Sequence, residues 1–281
     1  MSTTESLKAQ RFYEQSGSDQ HDGLAMDLDM FGVKEDGPIR VELFKLHHER
    51  SLSALSQAGD NLNLLECGCG GSPEPELLKV CARYTGVDSS HLALKKARAA
   101  FFGVETPNQF WAADFRALPF ENDSFDAVYS AHMIYHFGDL AEQERILSEL
   151  QRVVRPGGVI VILTANPRPL AFPVRLARRL IADAPLLGSA LARLRGNAFL
   201  PYRPMPIGWM RRRLNAACKV EVLAGGIPST SFNRNVTEFR GIGKLAWNCI
   251  RWMDTRHPKL SAYLGNYVIL CCQKHEPDEL S

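Results

Sequence analysis

The sequence predicts an α/β fold in which a mostly parallel sheet is covered by helices on both faces. Short apolar segments alternate with amphipathic helical segments between residues 62 and 165, a pattern typical of repeated strand–helix–strand units. A glycine-rich turn at 68–71 follows the first apolar segment, and an acidic residue lies at the end of each of the first three. In such sheets, ligands bind beyond the carboxyl ends of the strands, so these observations also indicate where a site would lie.

Five strands and three helices are predicted in order along this stretch. The predicted strands are 63–68, 84–90, 109–114, 125–132 and 158–165. The predicted helices are 73–84, 91–102 and 140–154. Ser72 suits the N-cap of the first helix and Pro73 its first position, while the third helix is amphipathic and ends at the sequence RPGG.

The remaining chain predicts segments added to this core. We expect an N-terminal helical lid over 1–60, the core over 61–165, and an arginine-rich apolar lid insertion over 166–206. Residues 207–275 would complete the sheet with a helix and two late strands, interrupted by a helical insertion at 227–264, and 276–281 would be a tail. The insertion carries apolar residues at helical spacing: Phe239, Ile242, Leu245, Cys249, Ile250 and Met253.

Composition excludes several classes of function. The 281 residues carry a formal net charge of +2, so no nucleic-acid partner is expected. Residues 1–30 lack the apolar core of an export signal and the chain has no run of about 20 apolar residues, so we expect a cytoplasmic protein. The seven cysteines show no paired CxxC spacing, and we interpret them as reduced, buried thiols.

The glycine turn has the form of a nucleotide-type site but not of a phosphate site. Gly68, Gly70 and Gly71 leave the backbone bare between a strand and a helix, which lets a ligand approach the main chain. A dinucleotide fingerprint starting at Gly68 would need glycine at 73, where the chain has proline. Acidic residues at 74 and 76 also oppose an anion at this helix start. The turn therefore favours a nucleoside ligand without phosphates, one that can carry a positive charge.

Acidic residues close the first three strands, at Glu66, Asp88 and Asp114. A carboxylate after the second strand can accept hydrogen bonds from both ribose hydroxyls, and one after the third can accept a bond from an adenine amino group. Each alone could instead cap the following helix. Their succession favours the ligand-binding interpretation.

Four segments in this order resemble the class I S-adenosylmethionine-dependent methyltransferases of the small-molecule group. They are LLECGCGGS, YTGVDSS, AADFRALPFENDSFDAVYSAHMIYHF and RVVRPGGVIVI. The resemblance covers residues 60–165 well and the last two strands loosely. It implies a Rossmann-like fold of seven strands and S-adenosyl-L-methionine as cofactor. The chain departs from the family pattern at Ser72, where a third glycine is usual.

The resemblance also implies roles for individual residues. Glu66, Gly68 and Gly70 would shape the methionine end of the cofactor site, Asp88 would hold the ribose, and Asp114 the adenine with Phe115 beside it. The cofactor-binding residues predicted in total are Glu66, Gly68, Gly70, Asp88, Asp114, Phe115 and Ser130. No metal is expected.

Methyl transfer needs alignment and, for a hydroxyl acceptor, a base. His132 and His136 follow the fourth strand and are the candidate bases, although local packing explains either histidine equally well. As a metal pair they lack a third ligand. Tyr13 is a weak candidate for closing over the cofactor.

The sequence thus predicts methyl transfer to a small, partly hydrophobic acceptor, with oxygen favoured by the histidines. The alternatives are N- or C-methylation of a lipid-like or quinone-type metabolite, or a non-catalytic binding protein with this fold. A nucleic-acid methyltransferase and a nicotinamide oxidoreductase fit the charge and Pro73 less well. Residues 168–213 hold ten arginines and one aspartate, which suits either peripheral membrane contact or the solvent face of a lid helix.

Overall fold

A computed structural model of the protein describes residues 38–168, 203–225 and 242–276. Seven strands in these ranges form a single sheet with the order β3-β2-β1-β4-β5-β7-β6. The strands are β1 Leu62–Cys67, β2 Cys81–Asp88, β3 Asn108–Ala112, β4 Phe125–Ala131, β5 Val154–Ala165, β6 Cys218–Ala224 and β7 Tyr267–Lys274. β7 runs antiparallel to β5 and β6, and the other neighbours are parallel. The predicted seven-stranded α/β fold is therefore confirmed.

Helices cover both faces of this sheet. The α-helices are α1 Pro38–Leu55, α2 His91–Ala100, α3 Leu140–Val153, α4 Ile207–Leu214, α5 Ile242–Arg256 and α6 Pro258–Leu264, and short 3-10 helices span Ser56–Ala58, Pro75–Lys79 and Ile134–His136. α1 and α2 pack on the face that includes Leu64 and Tyr84. α3 and α4 pack on the face that includes Leu65 and Val128. Neighbouring residues of β1 thus point to opposite cores, as the strand period requires.

The helix predicted over 73–84 is wrong in length and start. Only a 3-10 turn forms, at Pro75–Lys79, and its N-cap is Glu74, whose side chain accepts from the Glu76 amide at 3.2 Å. Ser72 is therefore not the N-cap. β2 begins already at Cys81, because that residue pairs with Leu62 of β1. Strand pairing overrides the local helical propensity of this segment.

The fifth strand begins earlier than predicted, at Val154 rather than 158. Val154 pairs with Phe125, but the next pair is Ala127 with Val159. The extra residues between them form a bulge in which Gly157 has φ +72°. The sequence RPGG therefore belongs to the strand and does not separate it from α3.

The helix predicted inside 227–264 forms as α5 and α6, and of its predicted apolar residues Ile250 and Met253 lie on the buried side. Trp247 and Ile250 pack against Leu46 of α1. Leu245 and Cys249, which belong to the same set of apolar residues at helical spacing, are exposed. The expectation that all cysteines are buried is thus wrong for Cys249, and the other six are buried free thiols.

A polar cluster joins α1 to α5 and α6. Arg50 donates to Asp254 Oδ2 at 3.0 Å and to the Ala224 carbonyl at the end of β6 at 2.6 Å. Ser261 Oγ donates to the other carboxylate oxygen of Asp254. Asp254 is only 8% exposed, so the cluster fixes the orientation of α5 from its buried side.

In the part of the chain that the structure describes, none of the helices has the length and apolarity needed to span a bilayer. The predicted lid over 1–60 is described only from residue 38, and Tyr13 lies outside the described residues. Most of the arginine-rich 168–213 segment and the tail from 277 also lie outside them. The predicted domain boundaries remain predictions.

Candidate functional site

The glycine turn after β1 adopts a backbone that side chains resist. Gly68 has φ +86° and Gly70 has φ +60°, the left-handed region that glycine enters without cost. A Cβ on Gly68 would lie 2.8 Å from Met133, while one on Gly70 would meet nothing within 4 Å. The Gly68 and Cys69 amides donate to the Val87 carbonyl. The turn therefore packs tightly on one side and leaves open space above Gly70.

Asp88, the last residue of β2, ties this turn to the start of α2. Its Oδ2 accepts from the Gly70 amide and its Oδ1 from the Ser90 amide, both at 2.9 Å. Burial raises the pKa of Asp88 and these amide donors oppose the rise. Each carboxylate oxygen keeps a second lone pair, so Asp88 can accept further bonds from a ligand over the turn.

Glu66 lies next to the end of β1 and is 5% exposed. Its Oε2 accepts from the Tyr84 hydroxyl and from the Glu74 amide, the latter at 3.3 Å. Burial is the main cause that raises the pKa of Glu66 to about 8, and the nearby carboxylates of Glu74 and Asp88 add to it. At neutral pH this carboxyl is mostly protonated, and an approaching cation would favour its ionised form.

Asp114 lies two residues beyond β3 and faces solvent. Arg116 donates to both of its carboxylate oxygens, at 2.7 to 3.1 Å, and also reaches Glu142 of α3. The hydrogen bonds from Arg116 lower the pKa of Asp114. The ring of Phe115 is buried and packs edge-on against Phe137 at 6.0 Å. Phe115 can therefore meet a ligand near Asp114 through its main chain.

His132 follows β4 with φ +55°, which is uncommon for a residue other than glycine. Its amide donates to the Leu163 carbonyl at 2.9 Å, and its Nδ1 lies 3.1 Å from the Tyr135 hydroxyl. The Tyr267 ring packs edge-on at 5.0 Å. Burial and the neighbouring His136 lower the pKa of His132 to about 4, so the imidazole is neutral at neutral pH and can accept a proton.

His136 and Ser130 are more enclosed than His132. His136 is 6% exposed and its ring lies 4.6 Å from that of Tyr135. Ser130 is 1% exposed, and its hydroxyl has no hydrogen-bond partner among the described residues. A buried hydroxyl without a partner is costly, and Ser130 lies one residue before the carboxyl end of β4.

The structure brings the predicted residues to the carboxyl ends of the parallel strands, but not all of them contact one another. Glu66, Gly70 and Asp88 form a connected group. The Gly70 amide donates to Asp88, and the Asp88 carboxylate contributes to the raised pKa of Glu66. Asp114 is separate from it and bonded to Arg116. No group of three or more His, Cys, Asp or Glu side chains within the described ranges could hold a metal ion.

Three residues that contact the site were not predicted from the sequence: Tyr84, Arg116 and Tyr267. Tyr84 shares the face of Glu66 because Leu64 pairs with Tyr84 and Glu66 with Gly86. Strand register of this kind cannot be read from one sequence. Arg116 had a local signal, since an arginine two residues after an aspartate in a loop can pair with it. Tyr267 reaches His132 only because β7 pairs with β5.

Comparisons with known proteins agree with this arrangement. A family model described as a methyltransferase domain matches residues 65–162. A sterol 24-C-methyltransferase of Gibberella zeae is 34% identical over 116 residues, which are 40% of this chain and 30% of that protein. A fatty-acid O-methyltransferase of Mycolicibacterium smegmatis is 31% identical over 175 residues, or 56% of this chain and 58% of that protein. The matches thus span about a third to somewhat over half of these relatives.

The fold also matches a solved structure along its whole length. The N-methyltransferase NodS of Bradyrhizobium japonicum, solved with S-adenosyl-L-homocysteine, aligns with a TM-score of 0.59 at 14% identity. The alignment covers 96% of this chain and all of that one. Residues 65–162 therefore match a methyltransferase domain, as the sequence motifs predict, and the chain shares its fold with this N-methyltransferase.

Proposed function

We propose that the protein binds S-adenosyl-L-methionine and transfers its methyl group to a small, partly hydrophobic acceptor. The observation that carries the proposal is the Asp88 carboxylate, held by the Gly70 and Ser90 amides beside the left-handed glycine turn. A carboxylate there accepts hydrogen bonds from sugar hydroxyls and repels a pyrophosphate. The site therefore suits a nucleoside without phosphates.

The residues around the turn fit the rest of this cofactor. The open space above Gly70 would let the ligand lie against the main chain of the turn. Glu66, mostly protonated in the free protein, would ionise beside the positively charged methionine end. Asp114 and the Phe115 main chain lie at the next strand and would receive the adenine. The Ser130 hydroxyl, without a partner among the described residues, would donate to or accept from the ligand or its bound water.

When bound, the cofactor supplies an activated methyl carbon, and the chain has to align the acceptor and manage a proton. His132 is the better-placed base of the two candidates, because it is neutral and its Nδ1 contacts the Tyr135 hydroxyl. Its low pKa makes it a weak base, so it would accept the proton only as the acceptor oxygen becomes acidic during transfer. His136 is more deeply buried and is assigned a positioning role.

The similar sterol and fatty-acid enzymes support a lipid-like acceptor. One of these relatives is named as a C-methyltransferase and the other as an O-methyltransferase. O-methylation remains our proposal on the strength of His132, with N- or C-methylation of a lipid-like or quinone-type metabolite as the alternative. Peripheral membrane contact through 168–213 and a cytoplasmic location are also retained as proposals.

Cofactor titration by calorimetry tests the binding half of this proposal. Asp88→Ala should weaken binding of S-adenosylmethionine by about a hundredfold or more, since two or more charge-assisted hydrogen bonds at about 1.5–3 kcal/mol each are lost. Asp60→Ala, an exposed aspartate before β1, is the control and should bind as the wild type does. Unchanged affinity of the Asp88 variant would contradict the ribose assignment.

Incubating cell lipid and metabolite extracts with the protein and isotopically labelled cofactor tests the catalytic half. Mass spectrometry should find an acceptor that gains the labelled methyl group. His132→Ala should slow that product by about a hundredfold while cofactor affinity stays unchanged. Cofactor binding without any labelled product would favour the non-catalytic binding protein instead.

A further inference from the structure

The solvent-facing side of α5 and α6 carries large apolar side chains among its polar and basic residues. Leu245 and Trp252 are 65% and 64% exposed, and Leu260 is 52% exposed. Leu245 and Trp252 are seven residues apart, almost two helical turns, so they lie on one face of α5. The Trp252 ring packs edge-on against His257 at 5.6 Å, which places it at the start of α6, near Leu260.

This face cannot rotate inward to bury its apolar groups. The opposite side of α5 is occupied by Trp247 and Ile250, which pack against Leu46 of α1. Asp254 on that side is bound to Arg50 and Ser261. Both contacts would break if the helix turned, so the structure holds Leu245 and Trp252 outward.

Positive charge surrounds the apolar face. Lys244, Arg256 and Lys259 are all exposed and flank Leu245, Trp252 and Leu260. The single acid between residues 242 and 264 is Asp254, and it is buried against Arg50. Exposed leucine and tryptophan with a basic border are the features of a helix that lies in the interface of an anionic membrane.

We propose that this α5–α6 surface, formed by Lys244, Leu245, Trp252, Arg256, Lys259 and Leu260, docks the protein on an anionic phospholipid bilayer. Leu245, Trp252 and Leu260 enter the headgroup–acyl boundary, and the three cations contact lipid phosphates. The surface lies at the β6 edge of the sheet, because α6 and β6 are in contact. The proposal concerns binding and does not depend on the proposed methyl transfer.

Co-sedimentation of the full chain with lipid vesicles tests this docking. Vesicles of equal parts phosphatidylglycerol and phosphatidylcholine should bind the protein, and binding should weaken with added salt. Vesicles of phosphatidylcholine alone should bind it less. The double variant Leu245→Ser/Trp252→Ser and the triple variant Lys244→Gln/Arg256→Gln/Lys259→Gln should each lower the partition coefficient by about tenfold or more.

Phe102→Ser is the matched control. Phe102 is 91% exposed and precedes β3, the strand at the opposite edge of the sheet, so its loss should leave vesicle binding unchanged. Equal loss in Phe102→Ser, or full binding by the double variant, would overturn the proposal. Wild-type protein that does not bind the mixed vesicles would also overturn it, and self-association through Trp252 would then identify a second copy of the chain as the occupant.

The tryptophan itself gives a second readout that needs no loss of binding. Its fluorescence should shift to shorter wavelength on the mixed vesicles, and Trp252→Phe should abolish most of that shift while retaining binding. The other three tryptophans supply the unshifted background. A shift that persists in Trp252→Phe would place the contact elsewhere.

Discussion

Different interactions hold the outward-facing groups in two regions of the protein. These regions are the glycine turn between β1 and β2 and the α5–α6 surface. At the turn, the backbone itself is shaped by Gly68 and Gly70, and Asp88 fastens it by two hydrogen bonds from main-chain amides. α5 is a regular helix whose buried side is held by the hydrogen bond that Asp254 accepts from Arg50 and by the packing of Trp247. The first arrangement is local in sequence, and the second depends on residues about 200 positions apart.

This difference explains what each region can do. Backbone geometry built from neighbouring residues places atoms accurately, which a small-molecule site needs. A helix face held by distant contacts presents a broad area without such accuracy, which is sufficient for a surface. Mutations should therefore damage the two regions in different ways.

The largest effect on the free energy of unfolding is expected from removing the Asp254 carboxylate on the buried side of α5. Asp254→Ala removes the carboxylate partner of Arg50 and Ser261 and should lower the free energy of unfolding by about 3 kcal/mol, since breaking a buried pair leaves a charge uncompensated. Chemical denaturation measures it. Asp123→Asn is the control, because the Asp123 side chain of the Asp123–Lys274 pair is 47% exposed and the pair should contribute less than about 1 kcal/mol. Equal losses would mean that burial is not what stabilises the α5 contact.

A smaller stability loss is expected at the glycine turn. Gly68→Ala must adopt φ +86° and bring its Cβ to 2.8 Å from Met133, which should cost about 2–3 kcal/mol of unfolding free energy. Gly103→Ala has a similar φ of +80° but meets nothing within 4 Å. It should cost about 1 kcal/mol, so the difference between the two variants isolates the steric contact. Indistinguishable values would show that Met133 yields freely and that the turn is not tightly packed.

A third effect, small for each pH unit, is a pH dependence confined to the turn. Folded Glu66 keeps its proton up to a pH of about 8, whereas its ordinary pKa is 4.5, so the folded state binds more protons than the unfolded state between these values. The free energy of unfolding should therefore fall as pH rises through this window, by at most about 1.4 kcal/mol per pH unit, and level off above it.

Glu66→Gln provides the reference for that measurement. It retains an acceptor for the Tyr84 hydroxyl but cannot ionise. The denaturant concentrations at which the two proteins are half unfolded should therefore converge near pH 5 and diverge as pH rises. Parallel curves from pH 5 to pH 8 would contradict the raised pKa of Glu66. Variants of the α5–α6 surface retain Glu66 and should therefore show the same pH dependence as the wild type.

The sequence predicted the turn better than the α5 region for a physical reason. The glycines and the acids Glu66 and Asp88 act within about 20 residues of one another along the chain, so most of their consequences can be predicted from the sequence. The helical spacing in 242–256 correctly predicted a helix. It did not identify the buried face, because Leu245 and Cys249 are as apolar as Ile250 of the same predicted set, and only the position of α1 decides which of them is buried.

By itself, the sequence determined the strand–helix alternation, the glycine turn and the placement of Glu66 and Asp88 at strand ends, with Asp114 two residues beyond β3, since these follow mainly from residue type and nearby residues. The tertiary structure decided the start of β2 at Cys81, the Tyr84 contact to Glu66, the Tyr267 contact to His132 and the outward face of α5. Each of these depends on strand register or helix docking between distant segments, and those are set by the lowest free energy of the whole packed chain.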